Sequence, residues 1–183
     1  MVAALIVIDV QEGFRDGSWG LSTNAGCEGN VRFLLSTWRS RGWPVVLVRH
    51  DSSEPSSPLR PGQPGNRFME GIEGSHDLLV VKSVNSAFYG DPDLDSWLRS
   101  NGIDDVVICG ITTNHCCETT ARMAGNLGYR VTFVLDATRT FDRTTPDGTV
   151  ITAAELMRST AANLHGEFAD VVNTDEVVTR FDR

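Results

Sequence analysis

A carboxylate, an ammonium group and a thiol stand where apolar runs of this sequence give way to polar residues. Asp9 closes the run that begins at Ala3, Lys82 follows Asp77–Val81, and Cys116 lies in the loop Ile111–Cys117 beyond the run Asp105–Gly110. A cysteine attacks as its thiolate, and its pKa falls beside a cation and at a helix N-terminus. Lys82 can supply the cation. Asp9 can take the thiol proton and return it to a leaving nitrogen. Backbone N–H groups at the turn before a helix can hold the oxyanion of a tetrahedral intermediate. Taken singly, an aspartate in such a place more often caps a turn, and a lysine is a solvated charge. Their combination on successive strand ends, with His50, Asp51 and Asp136 at others, points to a site.

The elements that must position these groups read as an α/β chain. Short β-rich runs at Ala3–Asp9, Pro44–Arg49, Asp77–Val81, Asp105–Gly110, Arg130–Asp136 and Ala169–Asn173 alternate with helical segments. Several are continuous Val/Ile/Leu runs, as parallel strands buried on both faces should be. The expected fold is a single-domain, Rossmann-like three-layer α/β/α sandwich spanning residues 1–183, with a mainly parallel sheet of about six strands. Asn24–Arg41 places Val31, Leu34, Leu35 and Trp38 on one helical face. Asp91-Pro92 reads as a helix start closing at Asn101-Gly102. Thr152 and Glu155 form a capping box ahead of a helix stopped by Gly166. The helix from Asn114 to Leu127 carries Cys116 in its first turn. Ligands in open sheets of this kind bind outside the carboxyl ends of the strands, where Asp9, Lys82 and Cys116 fall. Residues 52–74, rich in Pro, Ser and Gly, break the alternation and are expected to form an ordered lid or binding loop, with Phe68 and Met69 to bury.

Composition narrows the function. The chain is 40% hydrophobic and 22% charged, ordinary for a globular domain, and its net charge of −8 argues against a nucleic-acid partner. No leader pattern and no span long enough for a bilayer is evident, so the expected location is the cytoplasm. The four cysteines, Cys27, Cys109, Cys116 and Cys117, form no C-x-x-C pair, and the four histidines complete no zinc spacing. They are expected to be reduced thiols.

At these residues the sequence resembles the isochorismatase-like cysteine hydrolase superfamily, which includes nicotinamidases, N-carbamoylsarcosine amidohydrolases and streptothricin hydrolases. The matching segments are Ala4–Phe14, Lys82–Phe88 and Gly110–Arg122, continuing into Gly128-Tyr129 and Leu135–Ala137. The resemblance implies a catalytic triad of Asp9, Lys82 and Cys116, with Cys117 at a position that relatives usually fill with an apolar residue. It implies a cis peptide at Ile111–Thr112 and an oxyanion hole made by the backbone N–H groups of Thr112 and Cys116. Nicotinamidases bind a metal through an Asp-x-His segment after the second strand. Here that position reads Arg49-His50-Asp51-Ser52, so no metal and no other cofactor is expected. Phenazine-type isochorismatases replace the cysteine, which is present here.

The resulting expectation is a metal-independent amidohydrolase acting on a small amide, ureido or lactam substrate through a thioester. Phe14, Trp19, His50, Phe88, Tyr89 and Phe141 are candidates for the pocket wall, although any single aromatic is more often core. A homo-oligomer is expected, both from the resemblance and because four tryptophans leave apolar area to cover. Two other functions compete. One is enol-ether hydrolysis, in which Asp9 matters and Cys116 does not; the other is a catalytically idle binding or redox-thiol protein that uses the Cys116-Cys117 pair.

Overall fold

The computed structural model describes residues 2–181. Six parallel strands form one sheet: β1 (Ala3–Ile8), β2 (Val45–His50), β3 (Leu78–Lys82), β4 (Asp105–Ile111), β5 (Arg130–Arg139) and β8 (Asp170–Val172). Their order is β3-β2-β1-β4-β5-β8. All six residues of β1 are fully buried, which is why that run is apolar without alternation.

Alternate residues of β1 feed two cores. Ala3, Leu5 and Val7 face α1 (Cys27–Ser40) and α5 (Thr174–Phe181), while Ala4, Ile6 and Ile8 face α2 (Leu94–Ser100), α3 (Glu118–Asn126) and α4 (Ala153–Leu164). The sheet is therefore a middle layer with helices on both sides. On α1, the buried face is Val31, Leu34, Leu35 and Trp38 together with Cys27. The Thr152–Glu155 capping box opens α4, with the Glu155 N–H donating to Thr152 Oγ1 and Glu155 Oε2 accepting from the Thr152 N–H.

The strand order reverses between β1, which leads outward to β2 and β3, and β4, which leads to β5. A crevice opens at such a reversal because the connections leave in opposite directions. Gly110 is needed there. At φ 130°, it lies so close to β1 that a Cβ would fall 2.0 Å from the Ile8 carbonyl oxygen.

Several boundaries differ from the sequence reading. The helix expected from Asp91-Pro92 starts at Leu94, capped by Asp93, whose Oδ1 accepts from the Ser96 N–H at 2.6 Å. The Asp91–Pro92 bond is cis, and Asp91 instead pairs its backbone with Val81 in an antiparallel bridge. A short antiparallel hairpin, β6 (Arg143–Thr144) with β7 (Val150–Ile151), was not expected from the sequence; nor was α5. The segment 52–74 is packed: Leu59, Met69 and Ile72 are buried, and Met69 N–H bonds the Val10 carbonyl. Its Phe68 forms a bridge with Gln11. The tryptophans do not form an uncovered surface. Trp38 is fully buried, and Trp19, Trp43 and Trp97 pack against the two cores. No helix among the described residues is long and apolar enough to cross a membrane.

Candidate active site

The crevice at the strand reversal brings Asp9, Lys82 and Cys116 together. Lys82 ends β3, and its Nζ lies 2.6 Å from Asp9 Oδ2, 3.2 Å from His50 Nδ1 and 3.5 Å from Cys116 Sγ. An ammonium has three N–H bonds and no acceptor. Each of the three therefore has one acceptor, and His50 must receive at Nδ1 and carry its own proton on Nε2. Burial and the neighbouring Lys82 both lower the His50 pKa, so the ring is neutral. For Lys82, burial favours the neutral amine, but Asp9 and Cys116 outweigh it and hold the pKa above the ordinary value.

Asp9 is fully buried just past the end of β1, at φ 51°, a left-handed conformation uncommon outside glycine. That turn aims its carboxylate across the crevice. Oδ2 is taken by Lys82, whereas Oδ1 is buried with no hydrogen-bond partner among the described residues. A buried carboxylate oxygen left without a partner is costly. It is also the acceptor that a proton-transfer step requires.

Cys116 occupies a wide π-type turn, Thr113–Cys117, that runs directly into α3. Such turns are rare and concentrate at functional sites. The turn is held against β5: Thr113 Oγ1 donates to Thr138 Oγ1 at 2.9 Å, and Thr140 donates to the Asn114 side chain. The preceding Ile111–Thr112 peptide is cis. Burial, followed by Asp9, pushes the Cys116 thiol well up, and Lys82 opposes this only in part. The resting group is therefore a thiol, and the pKa lowering that the sequence led one to expect beside Lys82 is outweighed by burial. The other three thiols are fully buried and are likewise pushed up by burial, so only Cys116, 7% exposed, meets the crevice.

The crevice encloses about 100 Å³ and is lined by Phe14, Trp19, His50, Leu59, Asn85, Thr112, His115, Cys116 and Arg143. The rings of Phe14 and Trp19 meet at a tilt, 5.0 Å apart, and Phe141 stacks on both, at 6.3 and 5.7 Å. Arg139 holds this wall in place, with Nη2 on the Phe14 carbonyl and Nε on Glu28 Oε1 at 2.9 Å. Phe88 and Tyr89 do not line the crevice. After Lys82 the chain turns, and a short helical turn capped by Ser86 carries Phe88 into the core against Tyr129 and leaves Tyr89 on the surface. Asn85 takes the place expected of them; its Oδ1 lies 3.7 Å from Cys116 Sγ.

Gln11, His115 and Arg143 went unassigned in the sequence reading. Gln11 is fully buried and clamps His50, accepting its N–H at 2.8 Å and donating to its carbonyl at 3.0 Å. Gln11 and His115 sit inside the segments that carried the resemblance, whereas Arg143 comes from the unanticipated hairpin.

Asp9, His50 and Cys116 present donor atoms within 4.8 Å of one another, a set that could in principle hold a metal. Lys82 Nζ, however, is bonded to all three. A dication there would have to displace an ammonium already matched to each donor, so the residues present do not fit a metal.

Comparison with known proteins gives the family and the fold. The isochorismatase domain family matches residues 3–176. The isochorismatase family protein YrdC of Bacillus subtilis is 38% identical, over 97% of this chain and 95% of its own length. Nicotinamidase 3 of Arabidopsis thaliana is 31% identical, over 96% of this chain and 87% of its own. The crystal structure of an isochorismatase-family protein from Chromobacterium violaceum superimposes with a TM-score of 0.94 at 37% identity, covering 99% of this chain and 94% of that one.

Proposed function

We propose that this chain, which belongs to the isochorismatase family, is a hydrolase that cleaves a C–N bond of a small molecule with Cys116 as nucleophile. The observation that carries the reading is the orphaned Oδ1 of the Asp9 carboxylate, a group within 4.8 Å of a thiol whose sulfur already accepts from Lys82. The similarity to a nicotinamidase supports the choice of an amide-type bond.

The chemistry follows from the resting thiol. Cys116 passes its proton to Asp9 as sulfur bonds to the carbonyl carbon, so the thiolate forms during attack rather than before it. Lys82 offsets the negative charge that passes between sulfur and carboxylate. The backbone N–H groups of Thr112 and Cys116 hold the oxyanion. The C–N bond breaks as Asp9 returns the proton to nitrogen, and the amine leaves behind a thioester. Water, deprotonated by Asp9, then attacks the thioester carbonyl; the acid departs, and the proton on Asp9 returns to sulfur. No metal or cofactor enters the scheme.

The test measures ammonia or amine released from a panel of small amides, ureido compounds and lactams. Wild type should turn over at least one class, and Cys116→Ala should lose that activity. Hydrolysis that survives in Cys116→Ala but fails in Asp9→Asn would favour acid catalysis on an enol ether instead. The expectation of a homo-oligomer now rests on the resemblance rather than on the tryptophans, which are packed. A monomer by light scattering at micromolar concentration would count against it.

A further inference from the structure

We infer that Arg143 is a carboxylate-binding residue and that the substrate is a short amide or ureido compound bearing a carboxylate. This rests on the reading of Cys116 as nucleophile, and it adds the feature that selects the substrate.

The argument begins with how this molecule uses its other arginines. Arg49 offers the edge formed by Nε and Nη2 to the two oxygens of Asp51, at 2.8 and 3.1 Å. Arg130 offers the same edge to both oxygens of Asp105. That edge matches the spacing of a carboxylate, with two parallel N–H bonds to two oxygens. Arg143 has the same edge without the anion. Among the described residues its buried Nε has no hydrogen-bond partner, and its Nη2 reaches only His115 Nδ1, at 3.4 Å. The guanidinium always donates, so His115 accepts at Nδ1. Burial and Arg143 both lower the His115 pKa, which leaves the ring neutral and unable to supply a counter-charge. Among the described residues Arg143 forms no ion pair.

Charge in the crevice leads to the same ligand. No acidic side chain lines it. Behind the lining, Asp9 is matched by Lys82, and both histidines are neutral, so Arg143 leaves one unbalanced positive charge. This occurs in a chain whose net charge is −8. Arg143 is half-buried, and its buried Nε is costly to leave without an acceptor unless a ligand supplies the anion.

Placement also favours a fixed recognition group over a loose surface charge. Arg143 opens the hairpin strand β6, with its backbone paired to Ile151. The residue before it is tied twice: Asp142 N–H bonds the Leu21 carbonyl at 2.9 Å, and Asp142 Oδ1 accepts from the first N–H of α4 at 2.7 Å. Arg143 and Cys116 line the same space of about 100 Å³. A ligand that reaches both must be short, with the scissile carbonyl at sulfur and the carboxylate at the guanidinium.

Two alkylating agents of nearly equal size test this without knowledge of the substrate. Iodoacetate carries a carboxylate and iodoacetamide is neutral, and the rate of each at Cys116 is read by peptide mass spectrometry. The iodoacetate-to-iodoacetamide rate ratio is divided by that of N-acetylcysteine at the same pH. Wild type should exceed the free thiol by about tenfold or more, the scale of one charge-assisted pair. Arg143→Gln should return the ratio to the free-thiol value, and Arg143→Lys should fall between, keeping the charge without the fork. Removal of exposed Arg15 should change nothing. Calorimetric titration with glycolate and with neutral glycolamide gives a second reading that needs no thiol chemistry. Glycolate should bind wild type, fail to bind Arg143→Gln, and outcompete glycolamide. A wild-type ratio equal to that of the free thiol, or one unchanged in Arg143→Gln, would overturn the assignment, as would equal binding of the two titrants. If Cys116 resists both reagents while glycolate still binds through Arg143, the nucleophile reading fails and the carboxylate site stands.

Discussion

Asp9 and Asp136 are the same residue type in neighbouring parts of one sheet, each following an apolar run, yet the structure gives them opposite work. Asp136 lies within β5, and its Oδ1 accepts from both the backbone N–H and the hydroxyl of Thr174 at 2.8 Å, securing the first residue of α5. Its own carbonyl is shared by the side chains of Asn24 and Asn30. Asp9 is held in a left-handed turn at the strand reversal, with one oxygen on Lys82 and the other on nothing. A half-buried carboxylate that accepts from a helix start stabilises what surrounds it, whereas a buried one with an orphaned oxygen stores a capacity to take a proton. Residue type and the apolar run before it do not separate the two; a buried oxygen left without a partner does.

The largest break in this comparison comes from Asp9→Asn. Turnover should fall by about 10²–10⁴-fold or more, because the proton carrier is gone. Reactivity of the thiol should move the other way. Burial and then Asp9 raise the Cys116 pKa while Lys82 lowers it, so removing the carboxylate leaves burial alone opposing Lys82. The thiolate fraction at neutral pH should rise, and iodoacetamide should label Cys116 faster in a variant that hydrolyses more slowly. Slower labelling alongside lost turnover would show that Asp9 promotes ionisation rather than carrying the proton.

Lys82→Met should do the reverse, with a smaller loss. Without the ammonium the Cys116 pKa climbs further, so labelling slows, and both labelling and turnover should partly recover as pH rises. Asp9→Asn should show no such recovery in turnover. A pH–rate profile beside thiol titration for both variants checks the pair. A Lys82→Met protein with an unchanged thiol pKa and no activity at any pH would move the lysine from the thiol to the substrate.

How much of this was legible in the sequence depended on whether each group sits on a periodic element. The six sheet strands and the faces of α1 and α4 follow from apolar pattern and caps, because burial on both sides of a sheet leaves a continuous signature. Asp9, Lys82 and Cys116 were accessible because they close or follow such runs. Arg143 was not, since strands of two residues are too short to show alternation. Phe88 and Tyr89 misled because the turn after β3 reverses the direction in which side chains point, and no residue type announces that. The helix start went to Asp91-Pro92 because an acid followed by proline satisfies the same rule as the true cap, Asp93, two residues on. The thiol's raised pKa was hidden as well: spacing shows a nearby cation but does not show how deeply the sulfur is buried.

The smallest expected effect lies at the other aspartate, and it is the one that sharpens the comparison. Asp136→Ala removes two hydrogen bonds to a carboxylate at the start of α5, and the Thr174 N–H and hydroxyl lose their partner while that residue stays buried. Hydrogen bonds to charged groups contribute about 1.5–3 kcal/mol, and partial rescue by water places the net loss toward the lower end. The cost should appear in the denaturant midpoint with little change in its slope, since the folded and unfolded surfaces barely differ. Turnover per folded molecule and the labelling rate of Cys116 should match wild type, because the carboxylate of Asp136 makes no contact with Asp9, Lys82 or Cys116. Asp136→Asn, which keeps an acceptor oxygen, should recover part of the stability. A fall in turnover comparable to that of Asp9→Asn, at full stability, would mean that a buried oxygen left without a partner is not what separates structural from catalytic aspartates in this fold.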